Sequence, residues 1–229
     1  MSKFIKKIIW ISALSGATFS FSATAFSATD FPAPGFSVVP LDEMKIPDVM
    51  KEKMRAAIAQ RKKRGADPTP DAQFISINHT VAMIQEDKTP WPSLAEMANA
   101  GTLISPPSPV AGTVLANAEL IFTDIGGGNR NSQWSGLTRI YRTKDLGIVV
   151  LGEDSYRSVN GSMTMPEESV NASVNGGPAT LIAKYSTSGE NYIGLSWATD
   201  NKFYKLMSNA GDIEQGKTAL IALAQALKD

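Results

Sequence analysis

The chain contains no cysteine, which removes disulfides, thiolate nucleophiles and thiolate metal ligands together. It has a single histidine, His79. A zinc site would therefore need mainly carboxylates, and a Ser-His-Asp triad would have only one imidazole to use. His79 itself reads as a polar residue on a helix face. Net charge is also lacking, with 22 basic against 22 acidic residues, so nothing marks a surface that would release counterions from nucleic acid. No apolar run reaches the roughly 20 residues a bilayer crossing needs. Gly126-Gly127-Gly128 is followed by Asn129 and Arg130, without the lysine and hydroxyl residue that close a phosphate loop. These absences lead us to expect no cofactor, no metal and no nucleic-acid partner.

What is present begins with an export signal. Lys3, Lys6 and Lys7 give a positive start, Ile8 to Phe21 is apolar but short, and Ala23-Thr24-Ala25 has the small-x-small form of a cleavage site. Residues 1–28 are read as a signal peptide, which places the mature protein in the bacterial periplasm or outside the cell. With no cysteine after the apolar stretch, a lipid anchor is excluded. Loss of the three signal lysines leaves 19 basic residues against 22 acidic ones. About 200 mature residues suffice to bury roughly 70% of the unfolded surface without covalent staples.

Residues 29–105 are read as a mainly helical region behind a lead-in with Pro32, Pro34 and Pro40. A helix opens near Pro47 and ends at Arg61-Lys62-Lys63-Arg64 before Gly65, as its charge placement favours. Met50, Met54, Ala57 and Ile58 share one of its faces. Asp71 can cap the next element, over 72–86, where Phe74, Ile77, Val81 and Ile84 favour helix, although the residues would also suit a strand. After the Pro90-Trp91-Pro92 turn, Ser93 to Glu96 forms a capping box. Residues 106–229 read as strands at 115–123, 137–142, 147–153, 179–185, 192–198 and 202–207, with a reversal at Asp200-Asn201. A closing helix over 213–227 places Leu220, Leu223 and Leu227 on one stripe. The fold class expected is α+β: N-terminal helices, then a meandering antiparallel sheet packed by a C-terminal helix.

The order Val174-Asn175-Gly176-Gly177-Pro178-Ala179, Leu195-Ser196-Trp197, Asp200-Asn201, Tyr204-Lys205-Leu206 and a terminal helix from Glu214 to Leu227 resembles a bacterial domain at the extracytoplasmic C-terminal end of anti-sigma-type and related envelope proteins. The resemblance covers about residues 106–229 and implies an envelope location. It carries no site residues, because its elements are packing positions. Thr80 to Pro107 is similar in its punctuation to pilin-like proteins after their long helix.

Candidate chemistry is sparse. Gly194-Leu195-Ser196-Trp197-Ala198 has the outline of a nucleophile elbow but lies within an alternating strand. Glu153 and Asp154 are adjacent and point to opposite faces if the strand continues that far, and Glu167-Glu168 follows Pro166 as a solvated turn. The mobile-loop candidate for ligand contact is Asn129, Arg130, Asn131, Gln133 and Trp134, an aromatic with several amides beside a glycine run. The function expected is a non-catalytic binding or interaction module for an envelope protein, a lipid or a cell-wall fragment. The alternatives are a hydrolase of wall or sugar polymers using Glu153, Asp154 or Glu168, and a structural part of a secretion or appendage system.

Overall fold

A computed structural model describes residues 35–74, 76–86 and 93–229. The expected signal peptide, Pro32 and Pro34 of the lead-in, and the Pro90-Trp91-Pro92 turn lie outside the described residues. The strands are β1 (Gly35–Val39), β2 (Asp67–Thr69), β3 (Glu119–Arg130), β4 (Gln133–Arg142), β5 (Ile148–Asp154), β6 (Ser162–Pro166), β7 (Ala172–Val174), β8 (Gly177–Ser186), β9 (Asn191–Ala198) and β10 (Phe203–Ser208). The helices are α1 (Asp48–Arg64), α2 (Ile77–Glu86), α3 (Leu94–Asn99) and α4 (Ile213–Ala226). Among the described residues, no helix is long and apolar enough to cross a membrane.

The protein is α+β, with an eight-stranded mixed sheet and a C-terminal helix. The main path runs β2-β8-β9-β10-β5-β4-β3, with β7 paired to β8. This corrects the expectation of a simple antiparallel meander in two ways. β2 pairs with β8 in parallel, and after β5 the chain leaves the sheet so that β6 can pair in parallel with β1. A 3₁₀ turn at Tyr156–Val159 and a left-handed Asn160 turn the chain away at that point. The place beside β5 is taken instead by β10, which pairs with β5 on one side and β9 on the other. The hairpin expected at Asp200-Asn201 is present, closed by the Thr199 amide donating to the Lys202 carbonyl at 2.8 Å.

Alternation gives the sheet two faces. On one, Val149, Leu151, Ile193, Leu195, Trp197, Tyr204 and Leu206 pack against Leu220, Leu223 and Leu227 of the terminal segment. Fully burying each such leucine or isoleucine stabilises by about 1.5–3 kcal/mol, which makes this helix an integral layer of the core. Asp212 starts α4 by accepting from the Gln215 amide at 2.8 Å. Trp197 and Tyr204, directly opposite on β9 and β10, stack with centroids 4.8 Å apart.

The other face is roofed in part. Ile77 and Val81 of α2 cover Phe122, Ile140, Ile148, Val150, Tyr192 and Met207. Ser76 rather than Asp71 caps that helix, its hydroxyl accepting from the His79 amide at 3.1 Å. Asp71 accepts instead from the Ser188 amide at 3.1 Å, across to the β8–β9 turn. The capping box is formed reciprocally, the Ser93 amide donating to Glu96 at 2.6 Å and the Glu96 amide to Ser93 at 3.2 Å. A small lobe at the β8 side joins α1 to Leu41 and Met44 through Ile58. Met54 packs partly there and Met50 is exposed, so the expected methionine stripe is only half used.

Candidate functional site

The partly roofed face carries an unbroken polar row. Pairing in register places Thr180 opposite Ser196, Ser196 opposite Lys205, Lys205 opposite Gly152, Gly152 opposite Thr138, and Thr138 opposite Asp124. Because directly opposite residues share a face, all six positions line one transverse track across β8, β9, β10, β5, β4 and β3. One position along each strand towards α2, the same face is apolar: Ile182, Gly194, Met207, Val150, Ile140 and Phe122. Every residue of the polar row is partly exposed, whereas Met207, Val150, Ile140 and Phe122 are buried. Among the described residues, the track is therefore only partly covered.

The two ends of the row are committed. Thr180 donates to the Ser169 carbonyl at 3.2 Å and touches Met165 of β6, which fastens the 162–169 segment to the sheet. Asp124 Oδ1 accepts from the Ile125 amide at 2.9 Å. The middle is not committed. Among the described residues, Ser196, Lys205 and Thr138 have no side-chain hydrogen-bond partner. Partial burial, reinforced by the like charge of Lys184, lowers the Lys205 ammonium from its ordinary value to about 8.

Tyr192 borders the row. It is 5% exposed, and its phenol oxygen is buried with no partner among the described residues. The ring lies over Gly194, with Cε1 and the phenol oxygen each 3.1 Å from where a β-carbon would stand. Gly194 is the neighbour of Ser196 on this face, so the ring reaches along β9 towards the row. Burial also pushes the phenol's pKa well up, keeping it a donor.

A second polar cluster lies on the helix face and is of a different kind. Glu153 accepts from Arg139 Nη2 at 2.7 Å, from Lys202 Nζ at 3.1 Å and from the Ser108 amide at 2.9 Å. Lys202 also donates to the Pro106 carbonyl at 2.9 Å and to Ser108 Oγ at 3.0 Å, while Arg139 reaches the Ser108 carbonyl at 2.8 Å. Ser108 Oγ is 2.7 Å from the Tyr204 phenol, which donates to Asp229 at 2.7 Å. Ser108, Arg139, Glu153, Lys202 and Tyr204 are all buried, none more than 7% exposed. A serine hydroxyl 3.0 Å from a lysine has the outline of a catalytic dyad. Here, however, the ammonium is held by Glu153, and Ser108 is only 1% exposed. Its work is to clamp the 106–109 segment to the sheet.

The carboxylates of the sequence reading do not converge. Glu153 faces the terminal helix and Asp154 the opposite side, as alternation requires. Asp154 sits under β3, where burial raises its carboxyl pKa and the Ser135 hydroxyl opposes the shift. Glu168 accepts from the Leu41 amide at 2.9 Å and ties the α1 lobe to the 162–169 segment. Among the described residues, no three His, Asp or Glu side chains are grouped to hold a metal ion.

The loop candidates are dispersed in purpose. Gln133 donates to the Gly101 carbonyl at 3.0 Å, the backbone of Trp134 is bonded to Thr102 and Ile104, and Arg130 donates to the Ser158 carbonyl at 3.2 Å. Asn129 and Asn131 stay exposed. The tip of the hairpin is Asn131-Ser132, both left-handed at φ 52° and 65°. Gly126 to Gly128, and Asn129 and Arg130 after them, lie inside β3, correcting the expectation of a mobile loop there. A β-carbon on Gly127 would stand 2.5 Å from Ser135 Oγ and 2.7 Å from Asp154 Oδ2, at φ 75°. Glycine is there to let the backbone pass over a buried carboxyl.

The polar row escaped sequence reading because each member is an ordinary polar residue of an alternating strand; only the register of six strands lines them up. The one local signal was Gly152 interrupting the apolar run Ile148 to Leu151. Comparison with family models, with curated proteins and with solved structures finds no match to this chain. The class of protein that can be stated is thus the architecture itself: a mixed sheet with one face sealed by a helix and the other crossed by a partly exposed polar track.

Proposed function

We propose that this protein is a non-catalytic binding module exported to the bacterial periplasm or beyond, and that its ligand seat is the track formed by Ser196, Lys205, Gly152 and Thr138. One observation carries the reading: among the described residues, three polar side chains without a side-chain hydrogen-bond partner stand in register on a partly exposed stretch of sheet whose surroundings are otherwise packed. Leaving such groups half-buried costs stability unless something else satisfies them. Exposed seats of this sort are characteristic of binding surfaces, where stability is given up for function.

Catalysis is disfavoured on physical grounds. Ser196 lies directly opposite Lys205, a lysine poised closer to neutrality than usual, but acyl transfer also needs amide donors for the oxyanion. In the middle of a sheet the backbone amides are spent on the ladder. The carboxylates that a glycosidase would need are engaged elsewhere and on different faces. The resemblance of residues 106–229 to an extracytoplasmic bacterial domain, and the signal-like first 28 residues, support the envelope location.

The test is native mass spectrometry of the protein recovered from its host's envelope. The expected result is an N-terminus near residues 26–29 and a co-purifying small molecule that is lost from a Ser196→Val, Thr138→Val variant of unchanged thermal stability. An intact Met1 on cytosolic protein would remove the export reading. A bound species indifferent to the double substitution would remove the seat.

A further inference from the structure

We infer that the track is a seat for a small oxyanion, a carboxylate or phosphate group, held by the Lys205 ammonium and the hydroxyls of Ser196 and Tyr192. This rests on the binding reading above and names the chemistry of what is bound.

The argument starts from an imbalance. Each group left without a partner in and beside the track can donate a hydrogen bond, and an ammonium can do nothing else. The acceptors nearby each already have a partner, and the Asp124 and Asp154 carboxylates on the same face confine an anion to the Lys205–Ser196 end of the track. Thr180 is bonded to Ser169, Asp124 Oδ1 to the Ile125 amide, and Asp154 sits with Ser135 one position further along the face. A ligand that completes the site must therefore bring acceptors. Oxyanions supply several lone pairs in a small volume, and hydrogen bonds between charged partners are roughly twice as strong as neutral ones.

The electrostatics point the same way. Lys205 is discouraged from charging by burial and by Lys184, which lies on the same face on β8. On its far side, Lys184 has Asp67 of β2 directly opposite, and Asp67 also acts on Arg61 at the end of α1. The like-charge pressure at Lys205 is relieved by an anion at Lys205 itself, not by that edge. Gly152, opposite Lys205, leaves a gap in the track where any other residue would fill it. Ser196 and Lys205 stand directly opposite, one inter-strand spacing or roughly 5 Å apart, a span that one anionic group bridges.

Tyr192 supplies the independent observation. A phenol hydroxyl buried to this degree without an acceptor is costly, and the ring is laid over Gly194 so that its oxygen ends next to the track. A bound oxyanion would give that hydroxyl its partner.

The experiment uses the full exported chain, uniformly labelled with nitrogen-15, titrated at pH 7 with inorganic phosphate, acetate and N-acetylglucosamine in turn. The proposal expects at least one anion to shift the amides of residues 152, 194–196 and 205. Lys205→Gln should then weaken that anion about tenfold or more, the loss of one charge-assisted bond. Tyr192→Phe should weaken it several-fold, while Arg130→Gln at the hairpin tip leaves it unchanged. Phosphate and acetate separate the two sources of the oxyanion. Equal affinity in the Lys205 variant overturns the proposal. So does a response of these amides to the neutral sugar alone, which would leave the binding reading standing. If none of the three probes moves them, the oxyanion assignment fails; the search for co-purifying ligand then decides the broader reading on its own.

Discussion

Tyr192 and Gly194 share a face of β9, and the aromatic ring of the first occupies the space that a side chain on the second would take. A methyl group at 194 would have to displace both the ring and Ile182 Cγ1, each 3.1 Å from its position. Gly194→Ala is therefore expected to destabilise by about 1–3 kcal/mol, the usual cost of overpacking a filled core. Urea denaturation checks the magnitude, and a change in Tyr192 fluorescence or ring resonances would show that the displaced group is the one named. A stabilised or unchanged variant contradicts the packing described.

Lys205 leads to a prediction with a sign. Its folded pKa, about 8, lies below the ordinary 10.5, so between these values the unfolded chain binds more protons. This group's contribution makes stability rise with pH across that window. Below about pH 8 both states are charged and the full penalty applies; above 10.5 both are neutral and it vanishes. Lys205→Met should thus stabilise the protein at pH 7, on the order of 2 kcal/mol after discounting for partial exposure, with the advantage shrinking towards pH 10.5. Melting curves of both proteins at pH 7 and at the alkaline end decide it. A destabilised Met variant would mean that the lysine has an intramolecular partner.

Much of this architecture was readable before the structure because it is local. The strand at 192–198 is legible by alternation, those at 137–142, 147–153 and 179–185 by short apolar runs between turn residues, the Asp200-Asn201 reversal by turn chemistry, and the Ser93–Glu96 box by its spacing. The insertion of β10 between β9 and β5 was not readable, since no short-range pattern records which distant strand a segment will join. The same holds for Glu153, whose partners Arg139, Ser108 and Lys202 come from three separate parts of the chain. The glycine run at 126–128 misled for a physical reason: glycine marks close backbone approach as readily as it marks a turn, and here it makes room for Asp154.

Among the described residues, Glu153 is the only acidic group holding Arg139 and Lys202 within the helix-face cluster. Removing its charge leaves two buried cations without their counter-ion, so Glu153→Gln should cost about 3–5 kcal/mol. The loss should also be felt at a distance along the chain. The 106–109 segment, held through Ser108 and the Pro106 carbonyl, should become a preferred site of limited proteolysis. Denaturation and peptide mapping are read together; a variant of native stability with an uncut segment contradicts the clamp.

At the helical side of the molecule, the reciprocal bonds between Ser93 and Glu96 supply two otherwise orphan amides of α3. Backbone bonding to Ser93 lowers the pKa of the Glu96 carboxyl, so the box is intact at neutral pH and weakens as Glu96 is protonated in acid. Ser93→Ala should cost about 1 kcal/mol. Amide hydrogen exchange at residues 94–97 should accelerate in that variant and, in the native protein, as pH falls through the carboxylate range, once the intrinsic pH dependence is subtracted. Unchanged protection in the variant would show that α3 is held by packing alone.

The position of β10 also dictates an order of assembly. The hairpins spanning 119–154 and those spanning 172–198 are joined across the sheet only by a strand that lies within the final thirty or so residues. Until it has emerged, each half offers a bare edge and an uncovered apolar face, and the closing helix has nothing to seal. A chain wired this way can close its sheet only when β10 docks between two halves that are already paired within themselves.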